Sequence, residues 1–199
     1  MSSLRYSFNT SDMDKIIASA LNGHRQATEI IEANSQLIEK IAGIFITTLK
    51  KKGKLVFIGN GGSAADAQHL AAEFIGRFKL NRIPLAALAL TTNTSTITAV
   101  ANDFSFEDIF LRQIQALVNP ADCLVGISTS GKSKNIVLAV EKARQIGAKT
   151  VGFLGQDGGD LAGKVDLALT IPIADTPRIQ EMHILAGHII CEIVENEFF

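Results

Sequence analysis

Residues 54–78 read KLVFIGNGGSAADAQHLAAEFIGRF. Leu55 to Gly59 is a short unbroken apolar run, the length and composition of a strand buried on both faces. Asn60, Gly61, Gly62 and Ser63 form a turn, and the Ala-, Leu- and Glu-rich stretch after them predicts a helix. The same order returns along the chain. LAALAL (85–90) precedes FEDIFLRQIQALV (106–118), and CLVGIS (123–128) precedes KNIVLAVEKARQIG (134–147). TVGFLG (150–155) is followed by a short turn or helix at GDLAGK (159–164), by LALTIPI (167–173) and by a last helix from about Thr176. Strands alternating with helices, with the strands apolar on both sides, predict a parallel sheet covered by helices. The expectation is an α/β fold with one doubly wound, five-stranded parallel sheet.

Upstream, residues from about 11 to 52 predict two helices. The second repeats Ile31, Leu37, Ile38, Ile41, Ala42, Phe45, Ile46 and Leu49 at helical spacing. With 199 residues and no linker or repeat, the chain is expected to be one domain over 1–199, a helical segment 1–52 joined to an α/β core 53–199.

Hydrophobic residues make up 47% of the chain against 20% charged, which excludes a disordered chain. The net charge is −1 and the longest basic run is Lys50-Lys51-Lys52, so there is no electrostatic footprint for nucleic acid. The two cysteines, Cys123 and Cys191, have no motif spacing, MSSLRYSFNT does not resemble a signal peptide, and no apolar run approaches the ~20 residues of a membrane span. A cytoplasmic protein is expected. In the last helix Ile179, Met182, Ile184, Leu185, Ile189, Ile190, Ile193 and Val194 cover most of the circumference, which predicts burial on more than one side and hence a homo-oligomer.

Two loops could hold an anion. Gly59-Asn60-Gly61-Gly62-Ser63 and Ser128-Thr129-Ser130-Gly131-Lys132-Ser133 each follow a strand and precede a helix. There, free N–H groups and the helix dipole favour phosphate. Either loop alone is equally an ordinary turn or cap. Together, at the carboxyl ends of parallel strands, they mark where open α/β sheets bind ligands. Neither fits the nucleotide P-loop or the dinucleotide fingerprint.

His69 and Glu73 stand four apart on one predicted helix, and Gln180 and His188 eight apart on another, an offset of roughly 80°. These imidazole, carboxylate and amide groups could surround a divalent metal or act as acid and base. Each alone reads as well as a packed or solvated side chain. His24, His183, Glu181 and Glu192 carry only that plainer reading.

The strings GNGGSAADAQHLAAEFIGRF, AVANDF, ISTSGKS and RIQEMHILAGH together resemble the sugar isomerase (SIS) family, and within it the phosphoheptose isomerases. The resemblance implies a flavodoxin-like fold, a homotetramer, one zinc ion per subunit and a sugar-phosphate substrate. It implies aldose–ketose isomerisation of sedoheptulose 7-phosphate to D-glycero-D-manno-heptose 7-phosphate, the entry to heptose synthesis for lipopolysaccharide or capsule. Residue by residue it places metal ligation on His69, Glu73, Gln180 and His188, and the acid/base pair on Glu73 and His188. Substrate contacts fall on Asn60, Gly61, Gly62, Glu73, Asn102, Asp103, Ser128, Thr129, Ser130, Ser133 and Gln180. Asn93 and Pro177 depart from the aspartates common in such relatives, but neither belongs to these sets. Two rival readings are a non-catalytic relative that binds a replication initiator and a sugar-phosphate-sensing module. The retained Glu73 and His188 favour the enzyme.

Overall fold

The computed structural model describes residues 10–199; the first nine, most of the segment read as lacking a signal peptide, lie outside them. Strand β1 (Leu55–Gly59) is buried at every position, and its alternation splits the core. Leu55 and Phe57 point into one apolar cluster, Val56 and Ile58 into the other. The remaining strands are β2 (Ala87–Ala89), β3 (Cys123–Ser128), β4 (Lys149–Gly155) and β5 (Leu167–Ile171). All pairs are parallel, in the order β2-β1-β3-β4-β5. After β2 the chain crosses back over β1 to add β3 on the other side, so the crevice between the ends of β1 and β3 is the topological switch point.

On the Phe57 face lie α1 (Thr10–Ala33), α2 (Ser35–Lys50), α3 (Gly62–Ile75) and α7 (Thr176–Phe198). Phe45, Phe57 and Phe74 join α2, β1 and α3 with ring centroids 6.1–6.2 Å apart. Buried aromatic rings of this kind supply area and fix orientation together. The opposite face carries α4 (Thr94–Asp103), α5 (Asp108–Leu117) and α6 (Lys134–Ile146).

Three features differ from the sequence reading. The strand expected over 85–90 narrows to Ala87–Ala89, because this edge strand pairs only with β1. Helix α4 was not anticipated: its run of Thr, Ile and Val has poor helix propensity, offset by Asn93, whose side chain accepts from the Thr96 N–H at 3.0 Å. The girth of α7 is largely filled from within the chain, by β4 beneath, α3 on one flank and α1 and α2 on the other. Apolar surface is left open on α1, where Ile16, Ile17 and Leu21 are 64%, 57% and 52% exposed, and also at Ile83, Phe104 and Phe106, 70%, 58% and 57% exposed.

Candidate active site

Helices α3 and α7 run side by side in the same direction. Leu70 packs on Gly187, where a Cβ would stand 2.5 Å from a Leu70 methyl, and the Gln180 carboxamide lies over Gly62. The missing side chain at Gly187 lets the helices approach closely one residue before His188. His69 and His188 consequently meet, Nε2 to Nε2 at 2.8 Å, with ring centroids 5.1 Å apart. Glu73, one turn beyond His69, places Oε1 3.4 Å from His69 Nε2. Phe78, in the loop after α3, covers His188 with its ring centroid 5.5 Å away. Burial pushes the His188 imidazole pKa down and His69 adds to this, while Glu73 pulls it up. The imidazole is therefore neutral at pH 7, and the short N–N contact is a hydrogen bond between one donor and one acceptor ring.

One ligand atom from each of His69, Glu73 and His188 lies within 4.8 Å of the others, a set that could hold a metal ion. Tetrahedral zinc with bonds of ~2.0–2.1 Å needs donor atoms about 3.3 Å apart. The His69–Glu73 spacing meets that, and the two imidazoles would have to part by about half an ångström. Gln180 is eight residues before His188, roughly 12 Å along α7, and lies against the glycine loop instead.

The two anion-loop candidates flank the switch point. Asn60 leaves β1 and pairs with Asn135 of α6 through two amide hydrogen bonds of 2.9 Å, bridging the crevice. Gly61 turns at φ +56° into α3. In the second loop Ser128 Oγ accepts from the Gly131 N–H at 3.1 Å and lies 3.2 Å from Ser133 Oγ. Ser130 Oγ accepts from the Lys132 N–H at 3.2 Å. Gly131 has φ +64°, and a Cβ there would stand 2.0 Å from the Gly158 carbonyl oxygen, so only glycine fits. Ser133 occupies the N-cap of α6 without a side-chain capping bond, leaving its hydroxyl to the loop. Gly155 touches both the Thr129 carbonyl and Ile179, which sets the first turn of α7, and with it Gln180, between the two loops. Asn102 and Asp103 end α4, exposed and bonded to each other at 2.9 Å. A Lys134–Glu107 ion pair of 3.2 Å ties the turn beyond them to the start of α6, on the same rim. A hollow of about 760 Å³ lined by Lys40, Thr47, Lys51, Lys149 and Asp166 lies at the amino ends of the strands, where Lys149 and Asp166 form an ion pair of 3.8 Å, away from both loops.

The SIS domain family matches residues 22–155. The chain is 47% identical to a phosphoheptose isomerase of Helicobacter pylori, covering 94% of this chain and 97% of that one. It is 48% identical to another from Clostridium acetobutylicum over the same shares. The chain belongs to the phosphoheptose isomerase family of SIS-domain proteins. A solved phosphoheptose isomerase structure from Neisseria gonorrhoeae superposes on this SIS-domain chain with a TM-score of 0.88 at 38% identity, covering 92% of this chain and 99% of that one.

Among the polar groups of this SIS domain that the sequence does not point to, one lies on α3 itself. Asp66 lies on α3 between Gly62 and His69, on the stripe that continues to Glu73, and its buried Oδ2 has no hydrogen-bond partner among the described residues. Burial raises its pKa, with His69 pulling it down. Its spacing of three from His69 was the only available signal. The histidines set aside earlier have structural partners: His24 meets Glu181 at 2.7 Å, and His183 is buried with Nε2 2.9 Å from the Leu154 carbonyl.

Proposed function

We propose that this chain is a phosphoheptose isomerase, converting sedoheptulose 7-phosphate to D-glycero-D-manno-heptose 7-phosphate through an enediolate, at the start of ADP- or GDP-heptose synthesis. The observation that carries the reading is the meeting of Glu73 and His188 with His69 on the α3–α7 seam, beside two loops suited to phosphate.

Isomerisation removes a proton from the carbon next to the carbonyl and returns one to its neighbour. Glu73 is the base that takes the proton. His188, a neutral imidazole, hydrogen-bonds to the sugar oxygens and relays protons between them as the enediolate forms and collapses. The phosphate sits against Ser128, Thr129, Ser130 and Ser133 at the start of α6, and Asn60, Gly61, Gly62, Asn102, Asp103 and Gln180 orient the sugar chain. His69, Glu73 and His188 would hold a divalent ion, zinc by the nature of these donors, with Gln180 as the fourth ligand if it swings down from Gly62. When bound, that ion supplies Lewis-acid polarisation of the carbonyl.

The chain works as a cytoplasmic homotetramer of one-domain subunits, a reading supported by the uncovered apolar stripe on α1. No helix among the described residues is long and apolar enough to cross a membrane. The test is incubation of purified protein with sedoheptulose 7-phosphate, separating ketose from aldose phosphate by chromatography. Formation of the aldose supports the enzyme. Tight binding with no turnover in metal-supplemented protein would instead leave a sugar-phosphate sensor.

A further inference from the structure

Two turns beyond His188 on α7, Glu195 is buried and gathers four donors. Its Oε1 accepts from the Phe78 N–H at 3.0 Å and Arg82 Nε at 2.7 Å, its Oε2 from the Lys79 and Leu80 N–H groups at 2.8 and 2.9 Å. Burial by itself would raise this carboxyl's pKa, but the donors outweigh it and hold it at about 2, so Glu195 is charged at any working pH. Arg82 is equally committed. Its Nη2 donates to the Glu73 carbonyl and its Nη1 to the Phe74 carbonyl, both at 2.8 Å, capping the end of α3. Both side chains are only 2% exposed.

The pair therefore grips every element that frames the acid/base groups: the backbone of Glu73, the loop that lays Phe78 over His188, and the helix that carries His188. An ion pair removed from water contributes little net stability over an apolar substitute, whereas it imposes geometry through its directed bonds. We propose that Arg82 and Glu195 are positioning residues that set the relation of Glu73 to His188. This rests on the reading of those two as the proton-transfer pair.

The experiment compares Glu195→Gln and Arg82→Lys with the wild type in kcat, KM and affinity for Co²⁺ alone, titrated by visible absorption. Asp122→Asn is the control. Asp122 is also a buried carboxylate, bonded to the Lys54 N–H, Lys54 Nζ and the Asn119 N–H at the far end of the sheet. Per folded molecule, each clamp variant should lose ~10–100-fold in kcat with KM within about twofold, and bind Co²⁺ about tenfold more weakly. Asp122→Asn should melt at a lower temperature with wild-type kcat. Wild-type kcat and Co²⁺ affinity in folded clamp variants would overturn the proposal, and so would an equal kcat loss in Asp122→Asn. If Glu195→Gln does not fold, Arg82→Lys, which keeps the charge but has one donor nitrogen in place of the three that reach Glu195, Phe74 and Glu73, carries the test. If the wild type itself forms no heptose phosphate, the proposed function fails while the Co²⁺ comparison still judges the clamp.

Discussion

His69 and His188 face each other Nε2 to Nε2 at 2.8 Å across the seam between two helices running the same way. That contact joins residues 119 positions apart and creates the one place where two imidazoles and a carboxylate, Glu73, converge among the described residues. Its chemistry and its surroundings can be tested separately.

Binding and proton transfer should fail independently. Glu73→Gln keeps the size of the side chain and removes the base, so kcat should fall by ~10²–10⁴ with a smaller change in KM. Ser130→Ala with Ser133→Ala removes contacts that last through the reaction and should raise KM with kcat largely retained. Steady-state kinetics on both variants decide it. Normal turnover with poor binding in Glu73→Gln would make Glu73 a binding residue and send the search for the base to His69.

Removal of divalent ions by a chelator should lower activity, and zinc or cobalt should restore it, because two imidazoles and a carboxylate lie within 4.8 Å. Metal analysis of the purified protein and assay before and after chelation give the answer. Full activity in rigorously metal-free protein would remove the ion from the mechanism.

Stability should fall as the pH drops from about 6.5 towards 4. Burial drives the pKa of His183 down to about 4, the Leu154 hydrogen bond only partly opposing it, and that of His188 is lowered too. Between those values the unfolded chain binds protons that the folded chain refuses, so the stabilisation is complete above about 6.5 and declines below it. For His183 alone the loss is on the order of 3 kcal/mol. Thermal melts across this range should show a shallower acid decline for His183→Leu than for the wild type; parallel curves would contradict it.

The exposed stripe of Ile16, Ile17 and Leu21 should lie in a subunit interface. Wild type should sediment as a tetramer and Ile17→Lys as smaller species with unchanged secondary structure. A stable wild-type monomer at micromolar concentration would contradict the assembly.

Much of this molecule was legible from local patterns. Runs such as LVFIG and CLVGIS, apolar up to the closing Ser128 and buried throughout, have that composition because the sheet is covered on both faces, so strand, turn and helix could be read in order, with both anion loops at strand ends. The helical spacing that puts His69 beside Glu73 is likewise a property of the chain alone. What depends on two distant segments was not legible. The parallel course of α3 and α7, permitted by Gly187 against Leu70, decides that His188 meets His69 while Gln180 stays two turns away at Gly62. Asp66 has meaning only because the fold buries one oxygen of its carboxylate, and Arg82 and Glu195 only because a loop folds back over the end of α3. Helix α4 escaped because its β-branched residues speak against a helix, and packing on α5 together with the Asn93 cap outweighs that weak preference. Periodicity encodes which face of an element is apolar; which faces meet, and at what register, is settled by close packing between elements far apart in the chain.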